Sequence, residues 1–167
     1  GLKDVVVVAN RDAVLVCHKD QSQGVKEIVE KLKETQSPTL KSHSGETRPW
    51  GKFESLDRSD SHQVKRITVN PGGRLSLQYH FHRSEHWVVV KGTATVTVDD
   101  DVQTLGPCQQ VFIPQGAVHR LENFTDEPVE IIEVQYGGYL GEDDIVRVED
   151  VYERPETETD QTSTKAA

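Results

Sequence analysis

The chain has 167 residues, of which 34% are hydrophobic and 28% charged, and this length suffices for one domain with a hydrophobic core plus appended segments. Its 19 basic and 28 acidic residues give a net charge of −9, and no segment is dominated by Lys or Arg, which excludes a nucleic-acid-binding protein. No apolar run reaches the length of a membrane span, so no membrane partner is expected. Cys17 and Cys108 form no CxxC pair and predict neither a disulfide nor a thiolate metal site, which fits a reducing cytoplasm.

Residues 1–35 predict a β-hairpin followed by one helix. Two short runs rich in β-branched residues, 5–8 and 13–16, flank a polar turn at residues 10–12. Beyond Asp20 and Ser22, either of which could cap a helix, apolar residues recur with the spacing of one helical face: Val25, Ile28, Val29 and Leu32. A hairpin and one helix cannot bury both apolar faces alone, so this part is expected to pack on something larger.

The rest of the chain predicts a linker, an all-β domain and a tail. Residues 36–47 are rich in Ser, Thr and Lys and indicate a linker. Residues 48–154 contain short strand-like runs separated by turn signals, which is typical of a sandwich or small barrel. The predicted strands are 63–69, 75–80, 85–91, 93–98, 110–113, 119–123 and 129–136. Residues 155–167 have almost no apolar side chains and predict a disordered tail.

The most specific chemical signal lies in residues 78–86, which read Gln-Tyr-His-Phe-His-Arg-Ser-Glu-His. Alternate residues of a strand share a face, so Gln78, His80 and His82 are expected to point together. Two imidazoles spaced in this way can bind one metal ion. Glu85, just past a turn, and His119, at the start of a later strand, would complete a set of four ligands.

The other histidines are weaker candidates for metal binding. His86 could replace Glu85, but strand parity places it on the opposite face, which favours Glu85. His18, His43 and His62 are expected to be ordinary core or surface residues, because an isolated strand histidine is seldom a ligand.

Two segments resemble the two sequence motifs of the cupin family. The first contains a glycine, the His-x-His pair, and a glutamate followed after six residues by a glycine: Gly73, His80, His82, Glu85 and Gly92. The second contains two glycines, a proline, a histidine and an asparagine: Gly106, Pro114, Gly116, His119 and Asn123.

The cupin resemblance implies a double-stranded β-helix whose barrel holds one divalent metal on three His and one Glu. Carried over by position, these ligands are His80, His82, Glu85 and His119. Two residues separate His82 from Glu85, which is fewer than cupins usually have, and this leaves Gln78 and His86 open as alternative ligands.

More specific strings resemble the type II phosphomannose isomerase domain, which bacteria fuse to a mannose-1-phosphate guanylyltransferase. They are Arg48-Pro49-Trp50-Gly51, Val69-x-Pro71-Gly72, His82-Arg83-Ser84-Glu85-His86-Trp87 and Gly138-Tyr139-Leu140-Gly141-Glu142-Asp143-Asp144-Ile145. The resemblance covers residues 48–154, while residues 1–35 are similar to the last elements of the nucleotidyltransferase half. The catalytic part of that half has no counterpart, so the chain is expected to be a fragment without guanylyl transfer.

The resemblance implies a metal-dependent aldose–ketose isomerase acting on mannose 6-phosphate and fructose 6-phosphate in GDP-mannose and polysaccharide biosynthesis. The expected cofactor is a divalent metal such as Zn, Mn, Co or Ni. Arg83 is predicted to be catalytic and to bind phosphate in bidentate fashion, with Lys65 and Arg120 as further substrate-binding candidates. Glu133, which shares a strand face with Gln135, is the candidate base, although a solvated outer face is the commoner place for a carboxylate.

Other readings are compatible with the sequence. The main alternative is a non-catalytic sugar- or nucleotide-binding cupin that stabilises the guanylyltransferase dimer, and a cupin epimerase or dioxygenase has less support. A homodimer is expected, because the open edges of jelly-roll sheets tend to be paired. Turnover that depends on metal would distinguish the isomerase from the binding module.

Overall fold

The computed structural model describes residues 1–9, 13–35 and 45–152. The chain divides into two compact units, Gly1–Ser44 and Gly45–Ala167. Residues 36–44 of the predicted linker and the whole predicted tail lie outside the described residues. Residues 45–47, also assigned to the linker on the sequence, instead begin the first strand of the second unit. No helix within the described ranges is long and apolar enough to cross a membrane.

The first unit contains the predicted hairpin and helix. Strands β1 (Val5–Ala9) and β2 (Val14–His18) pair in antiparallel fashion, as the β-branched runs favour. A 3₁₀ helix, Lys19–Gly24, then leads into helix α1, Val25–Glu34. The helix therefore begins later than capping by Asp20 or Ser22 predicts. The cap lies instead at the 3₁₀ helix, where Nδ1 of His18 accepts from the backbone N–H of Asp20 at 3.3 Å.

The described part of the second unit forms a six-stranded and a five-stranded antiparallel sheet. Its strands are β3 (Gly45–Arg48), β4 (Gly51–Arg58), β5 (His62–Val69), β6 (Leu77–His80), β7 (Arg83–Lys91), β8 (Ala94–Val98), β9 (Asp101–Leu105), β10 (Gln110–Ile113), β11 (His119–Glu122), β12 (Val129–Gly137) and β13 (Ile145–Glu149). The strand orders are β10-β7-β12-β5-β4-β3 and β13-β6-β11-β8-β9. A short 3₁₀ helix, Glu142–Asp144, precedes β13.

Buried side chains from both sheets meet in one hydrophobic core. The largest contributions come from alternate residues of the central strands: Trp87, Val89, Ile131, Val96 and Leu121. This arrangement confirms the all-β expectation. The parity that buries these apolar residues also turns the polar residues at the start of β7 and the end of β12 inward, and the antiparallel register brings these ends together.

The connection between β6 and β7 carries the chain from one sheet to the other. β6 belongs to the five-stranded sheet and ends at His80, whereas β7 belongs to the six-stranded sheet and starts at Arg83. Phe81 and His82 form the bend between them. Strand alternation therefore stops at His80, and this decides which histidine side chains face the interior.

Candidate metal centre and its cavity

Three predicted ligands, His80, Glu85 and His119, form one buried cluster between the two sheets. They lie at the end of β6, near the start of β7 and at the start of β11. One ligand atom from each lies within 4.8 Å of the others. Nε2 of His80 is 3.0 Å from one carboxylate oxygen of Glu85, and Nε2 of His119 is 3.6 Å from the other.

Both imidazoles contact backbone carbonyl oxygens through Nδ1. Nδ1 of His80 lies 3.3 Å from the carbonyl oxygen of Asp144, and Nδ1 of His119 lies 2.9 Å from that of Ala117. A carbonyl oxygen only accepts, so each ring donates from Nδ1 and turns Nε2 toward Glu85. The buried Nε2 of His119 has no hydrogen-bond partner among the described residues. Histidine ligands of metals typically have this arrangement, and the cluster therefore fits a divalent metal.

The protonation states of the cluster also suit metal binding. Burial would raise the pKa of Glu85, but the hydrogen bond and charge of His80, with the charges of His119 and Arg83, hold this pKa well below its ordinary value. Burial lowers the pKa of His119. An ionised carboxylate and a neutral imidazole at neutral pH are the forms that ligate metals.

The fourth predicted ligand, His82, lies outside this cluster. Its side chain is 61% exposed, and its Nδ1 is 2.7 Å from Oδ1 of Asp144. The carboxylate of Asp144 also accepts from the backbone N–H groups of Phe81 and His82, both at 3.2 Å. The expectation that His80 and His82 share a face is corrected here, because the strand ends at His80 and the bend turns His82 toward Asp144.

The two alternative ligands have different surroundings: Gln78 faces the cavity, and His86 lies on the outer face of β7. Gln78, in the middle of β6, lines the same cavity as Glu85, and its Oε1 accepts from Ser76 Oγ at 2.8 Å. His86 is on the outer face of β7, where its ring lies 6.1 Å from that of Phe112. The preference for Glu85 over His86 thus agrees with the strand parity of the structure, and Gln78 is better placed than His82.

A cavity that is partly open to solvent lies beside Glu85 of the cluster. Its polar lining includes residues from both sheets and from the short 3₁₀ helix: Lys65, Gln78, Arg83, Glu85, Glu133 and Glu142. Arg48 and Arg147 add two more cationic side chains to the wall. The cavity therefore brings Glu85 of the cluster together with a second carboxyl and several cations.

Glu133 is buried on the inner face of β12, in the cavity wall. Its Oε1 accepts from Trp87 Nε1 at 3.0 Å and its Oε2 accepts from Gln135 Nε2 at 2.9 Å. The same two donors also reach Glu85, at 3.0 and 3.1 Å, so the two carboxyls lie side by side. Burial, with the charge of Glu85, raises the pKa of Glu133 to about 8. The predicted base thus occupies the interior position, which is the rarer environment for a carboxylate.

Arg83 is buried beside the cluster, with its donors directed at protein acceptors. Nε donates to Glu85 at 3.2 Å and Nη1 donates to the carbonyl oxygen of Gly141 at 2.9 Å, while Nη2 lies 3.5 Å from Nε2 of His80. The sequence predicted that Arg83 binds phosphate in bidentate fashion. In the structure its guanidinium donates instead to Glu85 and to the carbonyl oxygen of Gly141. A role of Arg83 toward substrate stays a prediction.

The other two substrate-binding candidates have different surroundings. Lys65 lines the cavity, and its Nζ lies 2.5 Å from Oε1 of Glu142. Arg120 is not part of the described cavity lining, and its Nη2 lies 2.8 Å from Glu149 Oε2. The structure therefore keeps Lys65 as a candidate and places Arg120 away from the cavity.

Two acidic residues with clear roles in the site were not singled out from the sequence. Asp144 holds the bend at His82 and, through its backbone carbonyl, the ring of His80. Glu142 pairs with Lys65 at the cavity. Both residues were noted only as part of a family string, because no local spacing indicates a contact between residues 142–144 and strands so far away in sequence. Of the histidines expected to be ordinary, His18 and His62 are partly exposed and His43 lies outside the described residues.

Two family models match the chain. The model described as mannose-6-phosphate isomerase C-terminal matches residues 34–150. The model described as MannoseP isomerase/GMP-like beta-helix domain matches residues 1–32.

Curated relatives are similar over most of the chain. The alginate biosynthesis protein AlgA of Pseudomonas aeruginosa is 53% identical over 92% of this chain and 32% of its own length. The xanthan biosynthesis protein XanB of Xanthomonas campestris pv. campestris strain B100 is 54% identical over 92% of this chain and 33% of its own. A mannose-1-phosphate guanylyltransferase of Escherichia coli K12 is 51% identical over 92% and 32%. The chain thus spans about a third of the length of the curated relatives it matches.

Solved structures support the fold. A variant of oxalate decarboxylase from Bacillus subtilis matches 65% of this chain and 31% of its own with a TM-score of 0.57 and 19% identity. A Klebsiella pneumoniae protein with a double-stranded beta-helix domain matches 58% of this chain and 83% of its own with a TM-score of 0.52 and 21% identity. The expected double-stranded β-helix is therefore confirmed.

Proposed function

This chain belongs to the mannose-6-phosphate isomerase C-terminal family, and from that premise we propose that it interconverts mannose 6-phosphate and fructose 6-phosphate. The observation that carries the proposal is that Glu85 of the metal-type cluster and a second buried carboxyl, Glu133, line the same cavity. An aldose–ketose isomerisation moves a proton between two neighbouring carbons while negative charge develops on their oxygens. It therefore requires a base and a centre of positive charge close together.

The charge centre would be formed at the buried cluster. His80, Glu85 and His119 would hold the divalent metal, with the amide oxygen of Gln78 as the proposed fourth ligand. When bound there, a divalent cation would supply positive charge opposite the oxygens of the substrate. Gln78 is proposed in the place that the sequence assigned to His82, because it shares the strand parity of His80 and pairs with His119 in register, whereas the His82 side chain is 61% exposed and contacts Asp144.

Glu133 is the proposed base. It would take the proton from C2 of the aldose and return it to C1, while the proton of the C2 hydroxyl moves to the C1 oxygen, so that the carbon-bound and the oxygen-bound protons both balance. Trp87 shares its single indole N–H between Glu133 and Glu85, and the amide of Gln135 donates one hydrogen bond to each, which holds both carboxyls in a fixed relation. This fixed relation supports proton transfer at a constant position relative to the charge centre.

Arg83 is proposed to position the ligands. Its guanidinium donates to Glu85 and lies beside His80, so it keeps the carboxylate oriented and ionised. The bond to the carbonyl of Gly141 holds the cavity wall against β7. Replacing Arg83 with Lys would remove this fork geometry while retaining the charge.

The longer protein is proposed to couple this activity to mannose-1-phosphate guanylyltransferase in the supply of GDP-mannose for polysaccharides. The support is that relatives with such names contain a matching third of their length. A homodimer, a cytoplasmic location and the domain boundaries other than those given above stay predictions.

The test is a coupled assay of mannose 6-phosphate conversion by the purified chain, after metal stripping and after addition of Zn, Mn, Co or Ni. We expect no turnover from the stripped chain and turnover restored by at least one metal. A folded chain that binds metal and shows no turnover would contradict the proposal and favour the non-catalytic binding module.

A further inference from the structure

Lys65 and Glu142 form an ion pair whose two partners differ in exposure. The side chain of Lys65 is 6% exposed, whereas that of Glu142 is 51% exposed, and Nζ and Oε1 are 2.5 Å apart. The ammonium also lies 5.1 Å from the ring centroid of Phe53. A buried cation is costly without an anion beside it, so Lys65 needs a partner whenever the protein is folded. The ammonium of Lys65 is therefore buried in the cavity wall, whereas the side chain of Glu142 is largely exposed.

The position of Lys65 relative to the proposed reaction centre follows from strand register. Glu133 is directly opposite Trp87 on β7 and directly opposite Lys65 on β5. Neighbouring strands lie about 4.8 Å apart, so Lys65 is about 10 Å from the strand that carries Glu85. An extended hexose spans a comparable distance from its reactive carbons to a phosphate on its last carbon. The distance from Lys65, past Glu133, to the strand that carries Glu85 thus matches the length of a sugar phosphate.

Arg83 cannot supply this second anchor in the same way. Its Nε and Nη1 already donate to Glu85 and to the carbonyl oxygen of Gly141. Arg48 and Arg147, by contrast, line the cavity together with Lys65. These side chains give this part of the cavity a positive lining, in which Lys65 has Glu142 as its anion.

We propose that Lys65 anchors a subsite for a phosphate monoester, and that Glu142 closes this subsite with its own carboxylate until the phosphate displaces it. The carboxylate of Glu142 occupies the position of an anionic oxygen beside the ammonium, and a phosphate dianion competes for it with greater charge. A neutral sugar has no charge to replace Glu142, so it would leave Lys65 unpaired in the wall. Glu142 is thus a specificity-determining residue that selects phosphorylated substrates, and this inference rests on the proposed function.

The test is the binding of inorganic phosphate to the full chain, measured by isothermal titration calorimetry. Glu142→Gln removes the competing carboxylate, and we expect it to bind phosphate about tenfold more tightly than the unaltered chain, which corresponds to about 1.4 kcal/mol. Lys65→Met should reduce phosphate binding at least tenfold. Asp143→Asn is the matched control, because it changes the net charge by the same amount one residue away, and Asp143 bonds Tyr139 rather than Lys65.

Three outcomes would overturn the proposal. Glu142→Gln could bind phosphate no more tightly than the unaltered chain, Asp143→Asn could tighten binding equally, or Lys65→Met, with an unchanged circular dichroism spectrum, could retain full binding. The first would mean that Glu142 does not occupy the subsite, and the second that only the overall charge matters.

The assay with sugars separates this inference from the isomerase proposal. In Glu142→Gln, the KM for mannose 6-phosphate should fall, while the KM for mannose without phosphate should fall more, because the variant no longer selects for the phosphate. If turnover is absent but the phosphate results hold, the subsite stands and the isomerase proposal is wrong. If turnover is present but the phosphate results are contradicted, only the subsite is wrong.

Discussion

The two faces of the six-stranded sheet carry similar residues in opposite environments. On the inner face, Lys65 and Glu133 are buried in the cavity wall, and the carboxyl of Glu133 has a pKa raised to about 8. On the outer face of the same two strands, Arg66 and Glu130 have side chains that are 46% and 31% exposed. Their ion-pair partners lie at 3.6 and 3.8 Å, in contact with water.

This difference shows that strand parity, more than residue type, decides which polar groups of this fold are buried and can take part in chemistry. A buried carboxyl or ammonium must find a hydrogen-bond or ion-pair partner, and its pKa responds to that partner. An exposed one is screened by solvent and contributes little. Matched substitutions on the two faces therefore test which residues belong to the candidate site and the core.

The largest effect is expected from a histidine of the cluster compared with one outside it. Loss of residues around a metal ligand typically weakens binding 10- to 100-fold, so loss of the ligand itself in His119→Ala should weaken it more than about 100-fold and remove turnover. His86→Ala, on the outer face, should leave metal affinity within a few-fold. Titration of the stripped variants with metal measures both. Equal losses in the two variants would contradict the assignment of inner and outer faces.

A smaller effect on turnover is expected for the two glutamates of β12. Glu133→Gln should lower kcat by about 10²- to 10⁴-fold, because a positioned base contributes that much. Metal content should be retained, since Glu133 is not a member of the cluster among the described residues. Glu130→Gln is the control on the outer face of the same strand and should keep kcat. Undiminished kcat in Glu133→Gln would remove it as the base.

The apolar residues of the same strand provide a comparison of stability. Ile131 is buried in the core and Ile132 faces outward. Ile131→Ala should reduce the free energy of unfolding by about 2–5 kcal/mol, because it leaves a cavity in the core. Ile132→Ala should cost about 1 kcal/mol or less. Urea denaturation monitored by tryptophan fluorescence measures both changes in the free energy of unfolding. A larger loss for Ile132→Ala than for Ile131→Ala would contradict the assignment of Ile131 to the core.

The smallest expected effect concerns the pH dependence of the Lys65–Glu142 pair. Burial alone would raise the pKa of Glu142, but the charge and hydrogen bond of Lys65 outweigh it and lower this pKa. Since the folded-state pKa lies below the unfolded one, the stabilisation is fully present above about pH 4.3 and is lost as the pH falls further. The stability difference between the unaltered chain and Glu142→Gln should therefore shrink in acid.

The outer-face pair supplies the control for that pH dependence. Glu54→Gln removes the partner of Arg66 at 3.6 Å, where both side chains are about half exposed. It should change the free energy of unfolding by about 0.5 kcal/mol or less at neutral pH. Denaturation curves at neutral and acidic pH test both variants. A difference for Glu142→Gln that stays constant into acid would contradict the proposed ion pair.

Much of the second unit could be predicted from the sequence, because strands with alternating or continuous apolar residues were recognisable. Strands β5, β7, β10 and β12 fall close to their predicted bounds. Strands β4 and β9 were not predicted, since the two large apolar residues of β4, Phe53 and Leu56, have opposite parity and β9 starts within an Asp-rich turn signal. Their pairing partners, not their own patterns, make them strands.

The candidate site could be predicted in part. His80, Glu85 and His119 followed from spacing and motif, but His82 was placed with them by extending strand alternation past the end of β6. The signal that favours Gln78 was available, because four residues lie between His80 and Glu85 and Gln78 shares the parity of His80. The parity of Glu133 was ambiguous in the sequence, because Val129 and Ile131 share its face while Ile132 and Val134 lie on the other. Contacts made by Asp144 depend on tertiary structure and left no local pattern.

The most direct test of the central claim compares His80→Ala with His82→Ala. Metal content of the purified chains, measured by inductively coupled plasma mass spectrometry, shows which histidine belongs to the metal centre. We predict that His80→Ala loses the metal, and that His82→Ala keeps it, because His82 contacts Asp144 outside the cluster. A His82→Ala chain that folds but loses its metal as completely as His80→Ala would contradict this account.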